Sequence, residues 1–238
     1  MGKNLLQQRR GKGSTTFRAP SFRYIGDAHH KTLSAQTCKG IVVEFLHSQG
    51  HNAPIARIKY EDGEQILAAA ALGLRTGDFV FTGSDCELKE GNTLPLSKIP
   101  EGTLIFNLEG RPGDGGKFAR SSGGTARILS KAQDKIMVEL PSKKQREFHP
   151  LCRATIGIIS GGGRLDKPMV KAGNHYHRAR GRNRRFPVVC ALSMNAVDHP
   201  YGGSRSSKKG KVTIAPRNAP PGRKVGKIRP RRTGRRSS

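Results

Sequence analysis

The sequence predicts an all-β body with basic, irregular ends, on three observations. Apolar residues come in short runs, and no stretch sustains the i, i+3, i+4, i+7 spacing of an amphipathic helix. Thirty glycines and 14 prolines punctuate those runs as turns. The charge is uneven: of a net +27, residues 32–166 hold only +2, while residues 1–31, 167–199 and 200–238 hold +6, +6 and +13. A near-neutral middle folds without self-repulsion, whereas the ends need a polyanion.

Residues 1–37 read as an extended basic arm. Arg9, Arg10 and Lys12, then Arg18 and Arg23, alternate with Phe17, Phe22 and Tyr24, which suits phosphate contacts combined with stacking. Strand-like runs begin at Gly40–Leu46, turn at Ser48-Gln49-Gly50, and resume over Ala53–Tyr60, where Ile58 and Tyr60 alternate with Arg57 and Lys59. Glu61–Glu64 is a turn, Gln65–Leu72 fits either a strand or a short helix, and Asp78–Thr82 is a strand. Gly91–Leu96 and Ile99–Thr103 read as connections before a strand at Leu104–Leu108, the whole suggesting a small barrel. Phe118–Arg120, Ala126–Leu129, Lys135–Leu140, Arg146–His149 and Ala154–Ile159 form a second set, of SH3-like size. From Ser160 the chain turns basic and loop-like, and after His199 it is a tail without apolar periodicity. Residues 1–30 and about 200–238 are expected to order only on a polyanion, since they have little apolar surface to offset chain entropy.

Several function classes fall away. The longest apolar run, Ile66–Leu74, is far short of a membrane span, and Met1–Gly13 has no apolar signal core. The ends lack the apolar helical face that would favour an anionic membrane over nucleic acid. Cys38, Cys86, Cys152 and Cys190 are widely spaced with no C-x-x-C pair, so they indicate a reducing compartment and no zinc site. Gly116-Lys117-Phe118 lacks the hydroxyl of a P-loop, and no G-x-S-x-G frames a nucleophile. Neither a catalytic residue, nor a cofactor, nor a metal ligand is expected; His175 and His177 suit phosphate contacts in a basic loop better than a metal. The chain is therefore expected not to be an enzyme.

A basic segment that interleaves cations with an aromatic and two histidines is Lys171–Arg185, with Arg178, Arg180, Arg182, Arg184 and Arg185 inside eight positions beside Tyr176. Arginine offers phosphate a planar, bidentate fork and also stacks on bases. Just beyond, Met194-Asn195-Ala196-Val197-Asp198-His199-Pro200-Tyr201-Gly202-Gly203 resembles the M-N-P-V-D-H-P-H-G-G signature of the universal large-subunit ribosomal protein family usually called L two. Gln8–Ser14 is similar to the opening of its archaeal and eukaryotic branch, and Gly91–Leu96, Pro112–Lys117 and Cys152–Gly157 resemble further family blocks in the same order. Ala196, Tyr201 and Cys190 stand where the family usually has Pro, His and Arg, which marks a divergent member.

The resemblance implies an OB-like barrel followed by an SH3-like barrel with extended basic N- and C-terminal arms. The expected domains are an arm over 1–37, an OB-like barrel over 38–115, an SH3-like barrel over 116–192 with a basic loop at 160–187, and an extension over 193–238. It also implies a cytoplasmic, ribosomal structural protein that binds 23S-type rRNA, supporting subunit assembly, subunit association and the peptidyl-transferase region. Its partners would be that rRNA, neighbouring large-subunit proteins and the small subunit, with no membrane. The residues expected to bind RNA are Arg9, Arg10, Lys12, Arg18 and Arg23 in the first arm, and Lys117 and Arg120 in the body. Lys171, His175, His177, Arg178, Arg180 and Arg182 follow in the basic segment, then Asn195 and His199 in the signature, and Arg205, Lys208, Lys209 and Arg217 in the tail. A non-ribosomal RNA chaperone or single-strand RNA binder is the alternative, since OB barrels with cationic tails also serve that role.

Overall fold

Val, Ile and Phe runs bounded by glycine turns favour pleated, half-buried segments. The computed structural model describes residues 6–32, 37–203, 214–220 and 222–228. Residues 21–168 form one compact unit, and residues 1–20 with 169–238 form another. In the first, the strands are β1 Cys38–Leu46, β2 Ile55–Tyr60, β3 Gln65–Ala69, β4 Phe79–Thr82 and β5 Thr93–Pro95. They continue as β6 Leu104–Phe106, β7 Ala126–Lys131, β8 Ile136–Glu139, β9 Gln145–Phe148 and β10 Arg153–Ile156. Hydrogen bonding joins all ten in the order β3-β2-β1-β4-β5-β10-β6-β7-β8-β9.

The body is thus all-β, but the sheet is open rather than closed into barrels: among the described residues no ladder joins its end strands, β3 and β9. It carries two main cores. Val42, Ala56, Ile58, Tyr60, Ile66 and Val80 fill the one under β1–β4. The other takes Leu94, Leu96, Ile99, Ile105 and Leu108 together with Ile128, Ile136, Val138, Phe148 and Ile156. Residues 94–108 therefore pack with the later strands. The reason is β10, which pairs with both β5 and β6. Thr93–Pro95 is a strand, not a connection, because Arg153 and Ala154 stand opposite Pro95 and Leu94. Gln65–Ala69 is a strand because Ile66 and Ala68 pair with Ile58 and Ala56 across β2. Phe118 makes only an isolated bridge to Leu108, and Ala119 has φ +51°, so the expected strand there does not form.

Ala28, His30 and Lys31 are buried in the body. The His29 and His30 amides donate to Leu67 O and Gly115 O, at 2.9 and 3.1 Å. Lys31 sets its ammonium between Asp62 and Glu64, so the buried charge is paired.

One carboxylate organises the loop between β6 and β7. Glu109 is fully buried; its Oε1 accepts from Arg153 Nε at 3.1 Å and Nη2 at 2.8 Å. Its oxygens also accept the amides of Arg153, Gly113 and Gly115. Burial pushes the Glu109 pKa up, but the hydrogen bonds and charge of Arg153 outweigh it and hold the carboxyl below its ordinary range. Arg153 Nη1 reaches Lys31 O at 2.7 Å, tying strand, loop and N-terminal segment together. Gly116 (φ +94°) passes so near Asn107 that a Cβ would lie 2.4 Å from its Oδ1, so only glycine fits there.

His30 sits in this network with Nε2 donating to Asn107 O at 2.5 Å. Burial, then the charge of Arg153, lowers its pKa from 6.5 to about 4. The folded state therefore refuses a proton that the unfolded chain accepts below about pH 6.5. His30 destabilises the fold progressively between pH 6.5 and 4, by about 3 kcal/mol in all. Denaturant unfolding at stepped pH should show a shallower loss over this window for His30→Gln than for the wild type. Equal slopes would show that His30 is not the group responsible.

Candidate nucleic-acid interface

The second unit begins with a short helix, α1 Leu6–Gly11, and continues with α2 Ala172–Gly181. Neither was expected; α2 lies inside the segment read as a loop over 160–187. It is polar almost all round, with Ala179 its one buried residue, so no apolar stripe announces it. Ala and Arg are good helix formers, and Arg178 and Arg180 in the last turn complement the negative end of the dipole. The tail also contains structure: β11 Ile214–Ala215 pairs in parallel with β12 Lys227–Ile228.

Asn183, in the left-handed region at φ +51°, follows α2 and donates its side-chain amide to Thr15 O and Arg18 O. That joins the N-terminal segment to the end of α2. Between them lies a cleft of about 940 Å³ lined by Arg9, Arg10, Phe17, Tyr176, Arg180, Arg184, Arg185 and Phe186, among others, with no carboxylate. Arg180 Nη1 donates to Tyr176 Oη at 3.2 Å, one turn away on α2, and the Phe186 ring packs on His175 at 4.2 Å between centroids.

The 194–203 signature folds as a tight loop closed on itself. The Asp198 and His199 amides donate to Asn195 O, and the Gly203 amide donates to Met194 O. A Cβ on Gly202 would lie 2.3 Å from Asn195 O, which explains a glycine there. The Tyr201 amide donates to His199 Nδ1 at 3.0 Å, so neutral His199 carries its proton on Nε2. The two rings lie 5.2 Å apart. A second cleft, of about 940 Å³, runs from Arg9, Arg10 and Arg185 past Val188, Val189 and Val197 to His199.

The expected RNA-binding residues are distributed as follows. Arg9, Arg10, Lys12, Arg18, Lys171, His175, His177, Arg180, Asn195 and Arg217 are exposed, and Arg178, Arg182 and His199 are half-buried, all in the second unit. Arg23 and Lys117 are exposed in the first unit, with the Arg23 guanidinium 5.2 Å from the Phe22 ring. Arg120 is engaged inside the body, donating to Gly116 O and Ala28 O. Arg205, Lys208 and Lys209 lie outside the described residues. Sequence reasoning did not single out Arg184, Arg185 and Phe186 as site residues; their convergence with residues 9–17 is set by tertiary contacts. His175 and His177, two apart on a helix, do not share a face. Among the described residues no cluster of three His, Cys, Asp or Glu is placed to hold a metal, and no helix is long and apolar enough to cross a membrane.

A family model described as Ribosomal Proteins L2, C-terminal domain, matches residues 89–224. The chain is 50% identical to the Large ribosomal subunit protein uL2 of Methanopyrus kandleri, over 99% of this chain and 98% of that protein. It is 48% identical to the proteins of the same name from Archaeoglobus fulgidus and Haloarcula marismortui, again over 98–99% of both chains. Identity at this level over nearly the whole chain means that it belongs to the uL2 family of large ribosomal subunit proteins, in its archaeal branch.

Proposed function

We propose that this protein is a structural constituent of the large ribosomal subunit in the cytoplasm, that it binds 23S-type rRNA, and that it performs no catalysis of its own. The observation that carries this reading is the end-to-end similarity to archaeal proteins named as large-subunit components. The arginine-lined cleft supports it physically: five guanidiniums gathered without a carboxylate repel one another until phosphates neutralise them. The cationic residues Arg9, Arg10, Lys12, Arg18, Lys171, Arg178, Arg180, Arg182 and Arg217 bridge phosphates. Neighbouring large-subunit proteins, and the small subunit at an intersubunit contact, complete the set of partners. The protein should co-sediment stoichiometrically with the large subunit in high salt. Release under those conditions, as for a chaperone, would overturn the assignment.

His199 is an RNA-docking residue in this reading: an imidazole can hydrogen-bond a phosphate or a base, and the Tyr201 amide on Nδ1 fixes its orientation. His199→Ala should lower subunit association while assembled particles keep peptide-bond formation within roughly tenfold, under about 1.4 kcal/mol of barrier. A thousandfold loss in the chemical step by fully assembled particles would make the residue catalytic instead.

A further inference from the structure

We infer that the cleft between the N-terminal segment and α2 is a receptor for one or two unpaired nucleotides of RNA, held by ring stacking with the phosphates on the surrounding arginines. This rests on the reading that the protein binds rRNA and goes beyond it, because cationic surface alone grips duplex and single strand through the same phosphates. Three features separate this cleft from a merely basic surface.

The first is its rings. Phe17, Tyr176 and Phe186 all line it, in a chain where aromatic residues are only 5% of the total. Tyr176 is 41% exposed although it is a large, mostly apolar side chain, and Phe186 is braced from one side by His175. Rings exposed in this way match base faces, which a duplex hides inside its stack but an unpaired nucleotide offers.

The second is its size: about 940 Å³ lies near the top of the roughly 300–1,000 Å³ range of small-ligand pockets. That admits a base with its ribose and a flanking phosphate, whereas a duplex, with its bases covered, would meet only the rim. The third is preorganisation. Asn183 pins the backbone of Thr15 and Arg18, and Arg180 holds the Tyr176 hydroxyl, so ring and guanidinium are set before any ligand arrives. A guanidinium fixed beside a ring places phosphate and base recognition one nucleotide step apart. Tolerance of every base follows, because stacking reads the π face rather than the edge.

The test uses the full-length protein with a short unstructured RNA carrying a single 2-aminopurine, and with a duplex of the same phosphate count. Wild type should bind the single strand more tightly than the duplex and quench the 2-aminopurine. Tyr176→Ala should lower the single-strand affinity by about 5- to 150-fold, the loss of one stacked base, and remove the quenching. Tyr176→Phe, which keeps the ring and gives up the contact with Arg180, should restore most of both. The half-exposed position of Tyr176 makes misfolding of these variants a minor concern, and circular dichroism checks it.

Equal wild-type affinity for single strand and duplex, with no quenching and no effect of Tyr176→Ala, would overturn the receptor while leaving rRNA binding intact. Failure to bind either RNA would remove both readings. Adenosine monophosphate competing with the oligonucleotide at equal concentration would make the cleft a free-nucleotide site and overturn its assignment to RNA.

Discussion

Raising monovalent salt from about 50 to 200 mM should weaken binding of this protein to an rRNA fragment by roughly 10³–10⁵-fold. The chain carries 27 lysines and arginines outside residues 32–166, against two acidic residues there. If only a third of those cations meet phosphates, six to ten counterion-release events are in play, each adding roughly −0.7 to −0.9 to the log–log slope. The slope should therefore lie between roughly −4 and −9. Replacing Arg180 and Arg184 by Gln should flatten it by about 1.5, because two phosphate contacts are removed while the body is untouched. Filter binding or fluorescence anisotropy across a salt series measures both. A flat response would exclude phosphate neutralisation as the source of affinity.

Truncating the buried pair beneath the loop over 110–117 should be the most damaging change in the body. Arg153→Ala leaves Glu109 charged, fully buried and without its guanidinium, which should destabilise the fold by about 3–5 kcal/mol. That is a large part of the roughly 5–15 kcal/mol that holds a domain together. Glu109→Ala should cost more than Arg153→Ala. It strands the Arg153 charge and also removes the acceptor of three backbone amides, those of Gly113, Gly115 and Arg153. Replacing both residues with leucine should recover only part of the loss, because those amides remain without a partner. Urea midpoints with unchanged m-values give the ranking directly. Losses below about 1 kcal/mol, or Arg153→Ala as the worse of the two, would show that the pair does not organise the loop.

Such a pair is not visible in sequence, since Glu109 and Arg153 are 44 positions apart and each looks like ordinary surface charge. The same blindness explains the other differences. Ile55–Tyr60 and Ile136–Glu139 read correctly as strands because their alternation is local. Thr93–Pro95 did not, since three residues become a strand only when β10 arrives beside them. Closed barrels were expected from strand number and spacing, which count strands but do not say whether the end ones meet. The helix over 172–181 escaped because helical periodicity is a signal of apolar packing, and α2 packs almost nothing. His30 and Lys31 lie in the segment read as an extended basic arm, while partners 31 to 77 positions away, Asp62, Glu64 and Asn107, hold their side chains.

Composition and order along the chain were enough to determine the all-β class, the neutral body with cationic ends, and the family whose blocks recur from Gln8 to Gly203. Those properties depend on residue type and short spacing, which any reading of the chain retains. What the tertiary structure decided is which cations and rings meet. Arg9, Arg10 and Phe17 join Tyr176, Arg180 and Phe186 because Asn183 bridges to Thr15 and Arg18, a contact across some 165 positions. Arg120, as cationic as the rest in sequence, is instead turned inward onto two carbonyls. A charge becomes a ligand site or a strut according to the backbone groups that reach it, and those are set by long-range packing rather than by neighbouring residues.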